Sequence, residues 1–276
     1  LTSNMSSPGY SAKLAISPTK SSIPNDLNRA IILACQESLS DHDCFTIALS
    51  GGSLPSFLSS IPTAFSSSNI DPQFSKWHVL LADERVVSCD DDDNNMKSIQ
   101  SKFLSNVPIP ADQIYSIEKP YVANEGSDDL TEKVAQWYEN EVIKPVLSKS
   151  GGRLDCAVLG FGPDGHTCSL FPNHALLNER EKLVVGIEDS PKPPPCRITL
   201  TFKVLNEARS AIFCGAGASK NPILKAVFGK VTKSQDGDGA CDVILADPAP
   251  YPCGMVRPTQ GTLTWVIDAD AAEGFE

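Results

Sequence analysis

Gly160-Phe161-Gly162-Pro163-Asp164-Gly165-His166 follows directly on the apolar run Cys156-Ala157-Val158-Leu159 and precedes Thr167-Cys168-Ser169-Leu170-Phe171. A short apolar run closed by Gly and Pro reads as a buried strand ending in a turn. His166 is thereby delivered to the C-terminal tip of a strand, two residues from the acid Asp164. In an open α/β sheet that tip is where ligands bind, and a histidine beside a carboxylate there can move protons near neutral pH. A turn histidine that only caps the next helix is the alternative at this point.

Outward from this stretch, strand-like runs alternate with helical patterns. Asn25 to Leu39 reads as a helix capped by Asn25, with Leu27, Ala30, Ile31, Ala34 and Leu39 at helical spacing. Phe45 to Leu49 and Trp77 to Ala82 read as strands. Asn94 to Leu104 reads as a helix, and Leu130 to Leu147 as a longer one ending near Pro145. After the strand Cys156 to Phe161 come strands Arg197 to Phe202 and Ala211 to Ala216, a helix near Asn221 to Phe228, and the strand Leu263 to Asp268. This βα alternation predicts an α/β, Rossmann-like three-layer sandwich, with a mostly parallel sheet flanked by helices. The Lys230 to Pro250 segment, with Gln235-Asp236-Gly237-Asp238-Gly239, has loop composition. The aspartate run Asp90 to Asp93 reads as a solvated loop pointing away from any anion site. No linker separates two cores, so residues 14–276 are expected to form one domain, after a disordered lead-in or expression remnant over residues 1–13.

The chain has 276 residues, enough for a substantial core. A net charge of −11 disfavours nucleic acid or an anionic membrane as partner, though local cations could still hold one phosphate. No run of about 18 apolar residues is present, so no spanning helix is expected. The nine cysteines are odd in number and scattered, without a CxxC pair. That pattern fits a reducing cytoplasm better than a disulfide framework or a zinc site. His42, His78 and His174 show no metal-ligand spacing with one another or with His166, so no metal site is expected from spacing.

The ends of the other strands carry unusual chemistry. Ser50-Gly51-Gly52-Ser53-Leu54-Pro55 follows Phe45 to Leu49. Its glycines allow close backbone approach, Ser53 is a suitable N-cap, and Pro55 suits a first helical turn. Such a turn favours phosphate, although it lacks the P-loop Lys-Ser/Thr and the GxGxxG of dinucleotide folds; an ordinary tight turn has the same composition. Asp83-Glu84-Arg85 follows Trp77 to Ala82, where Arg85 could steady an oxyanion or merely pair with Asp83. Lys220 opens a helix, opposing its dipole and so favouring an anionic partner. Arg197 begins its strand and could lie at a rim. Gly51-Gly52-Ser53 does not match a nucleophile elbow, which leaves water activated by a base as the simplest nucleophile.

Leu49 to Pro55, Asp83-Glu84-Arg85-Val86-Val87, Leu159 to Pro172 and Pro194 to Thr201 together resemble the 6-phosphogluconolactonase family, in order from about Asn25 to Ala272. The resemblance implies a fold shared with sugar-phosphate isomerases and deaminases, and hydrolysis of 6-phosphogluconolactone in the oxidative pentose phosphate pathway without metal or organic cofactor. It implies His166 as the base that activates water, Arg85 as a cation near the reacting centre, and Asp83 and Asp164 as orienting groups. Gly51, Gly52, Ser53, Arg197 and Lys220 would form the phosphate site, and Asn95 matches an active-site asparagine. Leu54 departs from the threonine usual in the family, and the segment Phe228 to Pro252 is longer than usual.

A glucosamine-6-phosphate deaminase shares the glycine-rich loop and the Asp-Gly-His turn, but carries a glutamate five residues beyond its histidine. Phe171 stands there in this chain. A non-catalytic sugar-phosphate sensor would typically add a DNA-binding helix-turn-helix, for which neither end leaves room. A monomer is the expected state.

Overall fold

The computed structural model describes residues 9–234 and 240–275. The chain opens with β1 (Ser11–Ser17), α1 (Ile23–His42), β2 (Phe45–Leu49), α2 (Leu54–Leu58), α3 (Ile61–Ser67), β3 (Trp77–Leu81), β4 (Asp83–Arg85) and α4 (Asn95–Lys102). The middle contains α5 (Glu118–Asn124), α6 (Leu130–Trp137), α7 (Lys144–Lys149), β5 (Cys156–Leu159), β6 (Val184–Ile187), β7 (Arg197–Leu200), α8 (Phe202–Glu207) and β8 (Ser210–Gly215). It closes with α9 (Asn221–Val227), β9 (Phe228–Lys233), β10 (Cys241–Leu245), α10 (Pro252–Met255) and β11 (Thr262–Asp268).

Eight strands form one sheet in the order β3-β2-β5-β8-β11-β1-β10-β9. Pairing is parallel from β3 through β1 and antiparallel at β10 and β9. Every residue of β2, β3, β5 and β8 is buried, which is why these strands read as continuous apolar runs rather than alternating ones. The fold is the expected α/β sandwich with a mostly parallel sheet. One apolar core links the strands to the helices, with Trp265 stacked on Phe213 at 4.2 Å and Trp77 edge-on to Phe45 at 4.7 Å.

The chain runs from β2 outward to β3, then returns to β5 on the other side of β2. The C-terminal ends of β2 and β5 therefore flank the point where the winding direction reverses, and a crevice opens there. A second, antiparallel sheet, β4-β7-β6, roofs this end. Arg85 lies opposite Arg197 in its register and Asp83 opposite Thr199.

Several expectations are corrected. The lead-in expected through residue 13 ends earlier: Ser11 to Lys13 belong to β1, held between β10 and β11; residues 1–8 lie outside the described residues. Asn25 does not cap α1, which starts at Ile23 with Pro24 in its first turn, as the fixed φ of proline permits. The helix expected over Leu130 to Leu147 is divided by a π turn at Tyr138–Ile143 and continues through Pro145 as α7. The Lys230 to Pro250 segment is not simply a loop. Its flanks form the β9–β10 hairpin on the sheet edge, where exposed Lys230 and Lys233 discourage further strand pairing. Residues 235–239 lie outside the described ones. Asp83 to Arg85, read as a turn, is the short strand β4.

Candidate active site

Four strand ends converge on one cleft of about 260 Å³. Gly51, Gly52 and Ser53 follow β2, Asp83 and Arg85 lie on β4, His166 follows β5, and Lys220 follows β8. Asn95 from α4 and Arg197 from β7 complete the wall. Asp164 stands behind His166, so all ten sequence-selected residues come together here.

The His166 loop is built around its own histidine. Gly162 N–H donates to the His166 carbonyl at 2.9 Å, and Gly165 turns the chain at φ 81°. A side chain at Gly165 would strike the Tyr251 ring, and one at Gly162 would strike both the His166 imidazole and the Asp164 carboxylate. The imidazole stacks on Phe171, ring centres 5.0 Å apart, and Asp164 Oδ1 lies 2.5 Å from its Nδ1. Among the described residues its Nε2 has no hydrogen-bond partner. Nδ1–H donating to Asp164 leaves Nε2 as the basic nitrogen.

Burial pushes the His166 pKa below the ordinary imidazole value, against the opposite pull of Asp164's hydrogen bond and charge. At neutral pH the ring is therefore neutral and able to accept a proton. Burial also pushes the Asp164 carboxyl upward, but hydrogen bonds from His166 and Lys192 outweigh it and bring it down to about 2.

The wall opposite is cationic. Arg85 and Arg197 stand abreast on paired strands, and burial followed by the Arg85 charge lowers the Arg197 pKa. Arg85 Nη1 donates to the Asp93 carbonyl at 2.6 Å, while its Nε is buried without a partner among the described residues. Lys220 Nζ donates to the Phe161 carbonyl and lies 5.1 Å above that ring; burial lowers its pKa. Two partly desolvated guanidiniums with an unpaired donor are costly unless an anion joins them.

Arg197 is not the rim residue its place in the sequence predicts. It is buried, with Nε donating to Pro194 O at 2.9 Å and Nη2 to the carbonyls of Lys192 and Pro193 at 2.9 and 3.0 Å. Ser53 precedes α2 but makes no side-chain capping bond, so its hydroxyl remains exposed at the cleft. The N–H groups of Gly51, Gly52 and Ser53 make no hydrogen bonds among the described residues. Gly51 has its Cα against the Asn95 amide, where a Cβ would collide.

Asn95 is held by a residue that sequence reasoning passed over. Fully buried Glu84 accepts the backbone N–H groups of Arg85, Asn95 and Met96 at 2.8, 2.7 and 2.8 Å. Burial pushes its carboxyl up to about 7 despite these donors. Asn95 Nδ2 then donates to the Asp83 carbonyl at 2.9 Å, and Ser169 Oγ donates to the Asp83 carboxylate at 2.9 Å. Burial raises the Asp83 pKa. Lys192 was missed as well: its Nζ lies 3.0 Å from both His166 Nδ1 and Asp164 Oδ2. A lysine within Ser190-Pro191-Lys192-Pro193-Pro194-Pro195 was visible, but not where that strap docks. The aspartate run is exposed as expected, yet the Asp93 carbonyl fixes Arg85.

At the opposite end of the sheet His42, Cys44 and Asp155 have potential ligand atoms within 4.8 Å of one another, a grouping their spacing did not reveal. Asp155 is already engaged there: Thr46 N and Oγ1 donate to it at 2.9 and 2.7 Å, and Arg209 Nε lies at 3.2 Å. These contacts join β2 to the start of β5. All nine cysteines are free, and no helix among the described residues is long and apolar enough to cross a membrane.

Fold and site define an α/β protein in which a histidine paired with a carboxylate faces a cleft lined by Arg85, Arg197 and Lys220 at the switch point of the sheet. A family model described as glucosamine-6-phosphate isomerases/6-phosphogluconolactonase matches residues 18–265. The chain is 38% identical over 228 residues to the 6-phosphogluconolactonase of Rattus norvegicus, covering 83% of this chain and 79% of the rat protein. It is 38% identical over 229 residues to that of Homo sapiens, with 83% and 80% covered. The solved 6-phosphogluconolactonase of Trypanosoma cruzi shares the fold, with a TM-score of 0.75 at 21% identity over 96% of this chain and 97% of that one. This chain belongs to the glucosamine-6-phosphate isomerase/6-phosphogluconolactonase family.

Proposed function

We propose that this protein hydrolyses 6-phosphogluconolactone to 6-phosphogluconate, as a lactone hydrolase of the oxidative pentose phosphate pathway. The curated relatives named 6-phosphogluconolactonase support a lactone-hydrolysing enzyme. The observation that carries the mechanism is His166, held by Asp164 at Nδ1 and facing a cleft lined by Arg85, Arg197 and Lys220.

Lys220, Arg197 and the free N–H groups of Gly51 to Ser53 would take the substrate phosphate. His166 Nε2 would accept a proton from water as the water oxygen bonds to the lactone carbonyl carbon. Charge developing on the carbonyl oxygen would be met by Arg85 and the Asn95 amide. As the ring C–O bond breaks, the imidazolium returns its proton to the departing ring oxygen, leaving the free acid with its new hydroxyl. Asp164 orients the ring throughout, and Asp83 holds the floor of the site through Ser169.

The deaminase reading needs a further acid near the histidine. Phe171, five residues on, instead stacks an apolar ring on His166. The decisive assay follows freshly generated 6-phosphogluconolactone against its spontaneous hydrolysis, beside ammonia release from glucosamine 6-phosphate. Hydrolysis above background without ammonia is expected; the reverse would overturn the reading. We further expect a cytoplasmic monomer that needs no metal or cofactor. Sedimentation and activity after exhaustive chelation check the last two points.

A further inference from the structure

Lys192 is the cation nearest the proposed base, and it reaches the site from a different part of the chain. It sits on the connection between β6 and β7, in Ser190-Pro191-Lys192-Pro193-Pro194-Pro195. Ser190 Oγ donates to the Lys192 carbonyl at 2.8 Å, and Arg197 Nη2 donates to the same carbonyl at 2.9 Å. With Arg197 also holding Pro193 and Pro194, the strap is pinned by a residue that lines the cleft. The ammonium of Lys192 then meets Asp164 Oδ2 and His166 Nδ1, each at 3.0 Å.

We propose that Lys192 is a positioning residue for the acid–base pair: it fixes the second oxygen of Asp164 and opposes protonation of His166 by its charge. The proposal rests on His166 being the base of the lactonase reaction. Asp164 Oδ1 takes Nδ1–H, so Nδ1 cannot also accept from Lys192. The ammonium's hydrogen bond therefore goes to Oδ2, and its approach to the ring acts through charge.

Without Lys192 the geometry would carry a penalty. A carboxylate that orients an imidazole also favours its protonated form, and a protonated ring is no base. The groups facing His166 are Asp164 from its own loop, Asp83 from β4, Lys192 from the strap and the uncharged Phe171 from beyond the turn. Lys220, preceding α9, lies close enough to Lys192 that the Lys192 charge, after burial, disfavours its protonated form. Two acids thus pull the imidazole toward protonation, and a bound phosphate would add to that pull. Lys192 is the cation in direct contact that counters them. Desolvation acts in the same direction as Lys192.

The test compares wild type, Lys192→Met and Lys192→Arg. Imidazole titration is followed by NMR in phosphate-free buffer, with the His166 signal assigned by its loss in His166→Asn. Lys192 is 39% exposed in its side chain, so the Met variant leaves no cavity and should melt as wild type does. In Lys192→Met the His166 midpoint should rise by about 1 unit. On the acid side kcat should then fall about tenfold, because each unit removes nine-tenths of the neutral ring. KM should change little, and Lys192→Arg should restore most of both effects. An unmoved or lowered midpoint, or a change in KM alone, would overturn the proposal and make Lys192 a substrate ligand. If wild type fails to hydrolyse the lactone, the functional reading fails, while the titration still decides whether Lys192 sets the charge of His166.

Discussion

Gly162→Ala isolates the geometry of the proposed catalytic pair from the stability of the fold. Gly162 has no left-handed backbone angle, so alanine is not excluded by its φ. The obstacle is local: a Cβ built there would overlap both His166, at Nδ1 and Cε1, and Asp164, at Oδ1. Carbon atoms settle at about 3.5–4.0 Å, so the ring and the carboxylate must retreat by roughly 1 Å or more. A displacement of that size costs about 10²-fold in rate, or about 2.7 kcal/mol of transition-state stabilisation. The phosphate-facing residues Arg197 and Lys220 are untouched, so KM should stay within about threefold of wild type. Initial rates on freshly made lactone, corrected for spontaneous hydrolysis, give both constants, and a thermal melt gives stability. A variant that melts as wild type does and retains kcat within about threefold would refute the pair as the reacting centre.

Other outcomes follow from the same contacts. His166→Asn should lower kcat by about 10²–10⁴-fold with little effect on phosphate binding, checked by turnover and by titration with 6-phosphogluconate. Asp164→Asn removes the group that favours the imidazolium, so the acid limb of the kcat/KM profile should move further below the ordinary histidine value, opposite in sign to Lys192→Met; kcat should fall through lost orientation. Lys220→Met should raise KM mainly for phosphorylated substrate, whereas Arg197→Met should also lower the melting temperature, because the strap carbonyls of Pro193 and Pro194 lose their donor and that of Lys192 keeps only Ser190. Glu84→Gln turns an amide NH₂ toward one of three backbone donors, which should destabilise by about 1–3 kcal/mol and loosen Asn95, read by denaturant unfolding.

Much of the site was legible because strand ends are local. The apolar runs before Gly51, Asp83 and Gly160 each mark where a buried strand stops, and parallel pairing brings those ends to one edge. The β9–β10 hairpin was hidden for the opposite reason. Its exposed, lysine-bearing edge strand lacks the apolar signature of the interior, so a segment with turn residues reads as a loop. The start of β1 was hidden in the same way: its place is fixed by partners more than 200 positions away.

The α/β class, the glycine-rich and charged turns, and the two-residue spacing that lets Asp164 reach His166 are written locally, because each depends on neighbours along the chain. What faces those groups comes from distant parts of the chain. The pairing of β4 with β7 set Arg85 beside Arg197, the buried Glu84 fixed Asn95, and the proline-rich strap carried Lys192 to a dyad 26 positions earlier. These contacts depend on long-range register and desolvation, which no local pattern of residues encodes.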